Sequence, residues 1–261
     1  MRHQRTVGSG FTLMELSIVL LLIALLSGGV VLGRDLMRAA AIRATVGQLE
    51  QLNVAVYAFR VRYNGLPGDL HVDSAAELGF FSMTGAGAGF LVGWGDGNSL
   101  IEAVDSDQAW AKGETLVFWR HLSEAGLLNS SLGNDLSHDP SVNGTPITDV
   151  GQWLPSAKLG RGNYIAVYSH NKGTYFELNA ITAIGGDGSY TADAPSVPGL
   201  EGYSIDVKID DGAPCTGTVI TRGSDLGGAL NSPSTDACDG VMSAGHFYSQ
   251  NGLYALRVQW P

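Results

Sequence analysis

Residues 8–33 read GSGFTLMELSIVLLLIALLSGGVVLG. From Phe11 to Gly33 there are 23 residues, and Glu15 is the only ionisable one. At a rise of ~1.5 Å per residue, a helix of that length crosses a hydrocarbon core of ~30 Å. A carboxylate inside such a run is costly in lipid, and anchoring alone gives no reason to carry it. Glu15 therefore points to an event after insertion. Snorkelling to the headgroups is one answer, because the residue stands near the start of the run.

The leader MRHQRTVGSG holds two arginines and one histidine. A short basic leader predicts an N-terminus that stays in the cytoplasm, with everything after Gly33 across the membrane. A secretory signal peptide has a similar outline. Here the apolar run is of spanning length, and the helical pattern continues through SGGVVLG without a good small-x-small site.

From Arg34 to Tyr63 the pattern turns amphipathic. Leu36, Ala39, Ile42, Val46, Leu49, Val56, Phe59 and Tyr63 recur at spacings of three, four or seven and mark one helical face. No proline interrupts residues 11–63, and NGLPG at 64–68 ends the pattern. One helix of about 53 residues, on the order of 80 Å long, is expected. Gly28, Gly29 and Gly33 are the places where it is weakest. Residues 34–63 carry five arginines against Asp35 and Glu50, whereas residues 64–261 carry eight Lys/Arg against 22 Asp/Glu. So acidic a domain repels a nucleic-acid backbone, which argues against DNA or RNA as a partner.

The stretch GFTLMELSIVLLLIALL, residues 10–26, resembles the processing and assembly signature of type IV prepilins and of the pseudopilins of type II secretion. The resemblance implies a cut between Gly10 and Phe11 by a membrane-embedded prepilin peptidase. It further implies N-methylation of Phe11 and a role for Glu15, fifth from the new N-terminus, as the assembly determinant. In a filament, the new amine of one subunit needs a counter-charge in a dry core, and Glu15 of a neighbour supplies it. YNGLPGDL (63–70), TLVFWRHLSEAGLL (115–128) and IDVKIDDGAPCTG (205–217) resemble blocks of a subset of pilin-like proteins. The chain departs from the family in lacking its frequent mid-helix proline. The 251 residues that follow Gly10 are also many for a major pilin, which favours a minor or specialised subunit.

The expected architecture is α+β, the pilin lollipop: a leader (1–10), a transmembrane and assembly helix (11–33), its amphipathic continuation (34–63), and an extracytoplasmic domain (64–261). Within that domain, glycine-rich sequence from 65 to 113 reads as loop, with a short helix at SAAELGF (74–80). A helix over 115–127 places Leu116, Trp119 and Leu122 on one face. NYIAVYS (163–169) and TYFELNAI (174–181) read as strands joined by HNKG, and LYALRVQW (253–260) as a last strand. In IDVKIDDG, Ile205, Val207 and Ile209 alternate as in a strand, while the resemblance points to a helix ending at Gly212, and the helix is the expectation.

Cys215 and Cys238, with 22 residues between them, are expected to pair once exported, closing a loop worth roughly 3 kcal/mol in the chain-entropy model. Asp206, Asp210 and Asp211 are candidate calcium ligands, and some pseudopilins bind calcium in this part of the domain. The cluster lacks the spacing of a dedicated calcium loop, so a solvated acidic turn is the competing reading. GWGDGNS (93–99) offers Asp96 and Asn98 to a cation on similar terms. GAGAG (85–89) lacks dinucleotide spacing, the six histidines form no ligand pair, and no nucleophile-elbow motif occurs, so no enzyme is expected. Trp94, Trp110, Trp153 and Trp260 are candidates for core, edge or partner contacts. The leading expectation is a filament subunit that polymerises with other copies or other pilin-like subunits, in the periplasm or at the cell surface. Alternatives are a pseudopilin and a minor tip subunit acting as adhesin or uptake receptor.

Overall fold

The computed structural model describes residues 11–80, 95–103, 111, 113–133, 146–170, 173–185, 188–191, 197–223 and 253–260. Helix α1 spans Leu13–Tyr63, 51 residues without a break. Asn64 closes it in the left-handed region (φ 53°), and its amide donates to the Arg60 carbonyl at 2.9 Å. This is a short polar residue in the position where a helix needs positive φ. Gly28, Gly29 and Gly33 do not interrupt the helix, and a Cβ at any of them would meet nothing within 4 Å.

Contacts divide the chain into residues 1–41 and 42–261. In the first unit the apolar side chains from Leu13 to Met37 are exposed. Its most apolar window has a mean hydropathy of 2.6, and none of that window is buried. In the second unit α1 buries Ile42, Thr45, Val46, Leu49, Leu52, Ala55, Val56 and Phe59, one face at the spacing a helix imposes. Leu36, expected on that face, is exposed because it lies in the first unit. Tyr63 is half-buried, edge-on to Phe80 with ring centroids 4.7 Å apart.

The fold class is α+β. Among the described residues, the remaining α-helices are α2 (Val72–Glu77), α3 (Glu114–Glu124) and α4 (Gly199–Ile209). The strands described are β1 (Asn163–His170), β2 (Gly173–Ala180), β3 (Ala183–Ile184), β4 (Tyr190–Thr191), β5 (Val197–Pro198), β6 (Val219–Gly223) and β7 (Leu253–Trp260). The main sheet is antiparallel in the order β1-β2-β7-β5, with β6 also paired to β7. Val167 faces Phe176 across the first pair, and Phe176 faces Val258 across the second. The last strand is thus a hub of the sheet rather than a terminal addition. β3 and β4 form a separate two-stranded ladder.

The buried face of α1 shares one hydrophobic core with α3 and the sheet. Trp260 packs its ring 5.7 Å from Phe118 and 5.4 Å from Phe176, measured between centroids. Trp153 and Trp260 are therefore core residues; Trp94 and Trp110 lie outside the described residues. On α3, Leu116, Trp119 and Leu122 are buried as expected, and so are Thr115, Val117, Phe118 and His121. The helix is covered nearly all round, so a one-face pattern understates its burial. The short helix expected at 74–80 runs from Val72 to Glu77. α4 extends the helical reading of IDVKIDDG back to Gly199, and Gly212 follows its end at φ +77°.

The loop after α1 is held by backbone proximity. Gly68 adopts φ +89°, and a Cβ there would stand 2.5 Å from the Glu114 carbonyl oxygen and 3.1 Å from the backbone of Phe118. Gly79 also has positive φ (+77°) but open space around it. Gly68→Ala is expected to destabilise the protein by about 2–4 kcal/mol, combining φ strain with a clash that neither backbone can relieve. Gly79→Ala should cost only about 1 kcal/mol of φ strain. Thermal or chemical unfolding of the two variants checks this, and equal losses would contradict it.

Candidate functional site

Three places in the described chain combine charge with specific geometry. The first is the start of α1. The Thr12 amide and hydroxyl donate to Glu15 Oε2 at 2.9 and 3.0 Å, while the Glu15 amide donates to Thr12 Oγ1 at 3.2 Å. Threonine and glutamate three residues apart, each satisfying the other's backbone amide, form a capping box. The box ties down amides that the first turn of any helix leaves without intrahelical partners. Glu15 thus has a local role within its own chain. The pattern T-x-x-E ahead of an apolar run is legible in the sequence, and reading Glu15 only as an assembly residue passes over it. Phe11, the expected new N-terminus, is exposed next to the box; Gly10 lies outside the described residues.

The second place is a group of carboxylates between the loop after α1, the 95–103 segment and α3. Carboxylate oxygens of Asp69, Asp96 and Glu114 lie within 4.8 Å of one another. Asp69 and Glu114 are buried, at 3 % and 4 % exposure. Asp69 accepts from the Gly97 and Ser99 amides at 2.8 Å each, and Glu114 accepts from the Glu102 amide at 2.8 Å. Gly95 is held so close to the Leu70 carbonyl that no side chain fits there. Nearby, the Gly68 amide donates to Nδ1 of the buried His121 at 3.0 Å. Burial pushes the Asp69 carboxyl up to about 6, against the pull of its Ser99 and Gly97 hydrogen bonds. Burial pushes Glu114 up to about 9, with the Asp69 and Asp96 charges adding to it.

Of this group, sequence reading singles out only Asp96. Asp69 reaches partners 28 and 30 positions away, and no local pattern announces that. Asp96 itself accepts from the Asn98 amide at 2.9 Å, a local turn contact. The cluster works as a polar clasp that fastens the loop after α1 to the 95–103 segment and to the first turn of α3.

Asp206, Asp210 and Asp211 also come together, with carboxylate oxygens within 4.8 Å. Asp206 is fully buried and accepts from the Gly212 amide at 3.1 Å. Asp210 accepts from the Thr218 amide. Asp211 accepts from the Ala213 amide at 2.8 Å and from Thr216 Oγ1 at 2.6 Å, and these bonds hold its carboxyl below the usual range. Each carboxylate thus fastens the turn from α4 into β6, which is work such a turn needs done without any cation. Cys215 lies in that turn, and no free cysteine occurs among the described residues. Cys238 lies outside them, so its pairing with Cys215 remains an expectation. An ion pair from Arg161 to the buried Glu201 ties α4 to the residues just before β1.

No family model, curated protein or solved structure matches the chain. A long apolar N-terminal helix, continued into an antiparallel sheet domain, is nonetheless an architecture consistent with that of pilin-like proteins.

The clasp sets a pH dependence. Asp69 and Glu114 keep their protons to higher pH when folded than when unfolded, where both ionise near pH ~4. The folded state binds more protons across that range, so stability falls as pH rises. The loss should begin as pH rises through ~4, become shallower above about pH 6, where folded Asp69 has also ionised, and cease near pH 9, where folded Glu114 has ionised too. Glu114→Gln, which keeps an acceptor for the Glu102 amide, should flatten the decline between pH 6 and 9. Unfolding midpoints measured from pH 5 to 9 check this; a wild-type midpoint that is level from pH 6 to 9 would contradict it.

Proposed function

We propose that the chain is a structural subunit of a type IV pilus-like filament. On this reading it is cut after Gly10 by prepilin peptidase, methylated at Phe11, and held in the inner membrane by residues 11–33 until it assembles. The observation that carries the reading is the division of α1. Residues 13–41 leave a lipid-length apolar surface exposed, while residues 42–59 of the same unbroken helix are built into the core of the sheet domain. A plain signal anchor needs the first half alone. A helix that must also fix the orientation of its domain in a polymer needs both.

Glu15 then has two successive partners: its own Thr12 in the lone subunit, and the new amine of a neighbour in the filament. The exchange keeps the carboxylate satisfied at both stages, which lowers the cost of holding it in the bilayer. The domain beyond residue 63 faces outward on the far side of the membrane, where Cys215 and Cys238 pair. The 251 residues after Gly10 favour a minor or specialised subunit over the major one. The reading assigns no reaction to the chain.

Two substitutions separate capping from counter-charge. Glu15→Leu should insert like the wild type yet lose self-association in membranes about tenfold or more, as expected when one partner of a buried charge pair is removed. Thr12→Val breaks the box but leaves the carboxylate, and should retain most association. Chemical cross-linking in isolated membranes reads both. Normal association of Glu15→Leu, or an equal loss in Thr12→Val, would overturn the counter-charge role.

A further inference from the structure

The domain unit carries two exposed apolar stripes on different elements. On α4, Leu200, Tyr203 and Val207 face solvent, with Tyr203 48 % exposed. Their spacing of three and four puts them on one side of the helix. Gly212 approaches Tyr203 and Val207 so closely that a Cβ would stand 2.6 Å from Val207 and 3.1 Å from the Tyr203 ring, so the turn after α4 braces both side chains. On α1, Val54, Tyr57 and Val61 form a second outward stripe. Beside it opens a cavity of about 250 Å³, lined among others by Tyr57, Arg60, Ser99, Thr174, Gln259 and Trp260.

The two stripes differ in charge. Arg60 is exposed at the mouth of the cavity and has no ion-pair partner among the described residues. The α4 stripe ends beside the exposed Asp211, in a domain with 22 Asp/Glu against eight Lys/Arg beyond residue 63. Lys208 is the only basic residue of α4, and it follows Val207. A concave, aromatic-lined surface carrying an arginine, and an apolar stripe centred on a tyrosine with aspartates at its end, are thus present on the same unit. A cavity of roughly 150 Å³ already admits a benzene ring, so this one admits a phenol ring with space left over.

We infer that the α4 stripe of one copy docks on the α1 stripe of the next, with Tyr203 seated in the cavity beside Tyr57 and Arg60 and the acidic end of α4 turned toward Arg60. The occupant of the α1 surface is a second copy of this chain, selected by charge complementarity and by the fit of one tyrosine to the cavity. Tyrosine and arginine are the side chains that most often anchor such contacts. The two patches are different surfaces of the same protein, so the contact is head-to-tail and repeats without closing unless the rotation happens to close it. It therefore adds a domain-level contact to polymerisation through α1, and it rests on the filament reading above.

The test uses the full chain in membranes with a photo-crosslinking amino acid in place of Tyr203 and, in a separate preparation, in place of Leu25. The Tyr203 probe should give self-adducts that map by mass spectrometry to residues 54–61, and Arg60→Glu should lower their yield about tenfold or more. The Leu25 probe reports association of the apolar helices independently. Leu25 self-adducts with Tyr203 adducts that miss residues 54–61, or that join another protein, overturn the docking and leave the filament reading standing. Tyr203 adducts to 54–61 without Leu25 adducts uphold the docking and count against polymerisation through α1. Absence of both overturns both.

Discussion

Residues 42–59 of α1 must bury one face in a protein core, and residues 13–41 of the same helix bury none. Everything else in the molecule accommodates that constraint. An isolated helix gains little from propensity alone and takes its stability from the surface it covers. Here the covering is divided between two settings, with no proline and no interruption of the helix to separate them. The sheet domain supplies one setting through Phe59, Leu49 and their neighbours. The exposed apolar surface of the first half demands another, which lipid or the helices of neighbouring subunits would meet.

The domain is arranged to hold the C-terminal end of α1 firmly. Asn64 caps the helix, Gly68 lets the following loop pass against α3, and Asp69 fastens that loop to the 95–103 segment. The sheet gathers around β7, the last strand of the chain, which joins β2 to β5 and β6. The chain's final strand and its first helix therefore share one core.

The long helix was legible because its pattern is local: apolar residues at helical spacing, no proline, and a glycine-proline stop. β1, β2, β7 and α3 were legible for the same reason. Leu36 was misplaced because the periodicity runs on through Arg34–Ala41, where no core lies against it. Thr45 is buried despite its hydroxyl, and His121 despite its titratable ring, because tertiary partners surround them. The acidic clasp was illegible as a unit. Its members come from three separated segments, and the pairing of Asp69 with the Gly97 and Ser99 amides depends on the loop path that Gly68 and Gly95 permit. The capping box is the opposite case. Thr12 and Glu15 announce it within four residues, yet the prominence of a carboxylate in an apolar run draws the reading toward partners beyond the chain.

The filament reading proposed above requires that residues 1–10 be shed to free an N-terminus for assembly, and the N-terminal peptide of the native protein tests this most directly. Mass spectrometry should find a peptide beginning at Phe11, heavier by one methyl group on its amine. A protein that retains Met1, or that is cut beyond the apolar run, would contradict the filament-subunit account and leave α1 as an ordinary anchor or export signal.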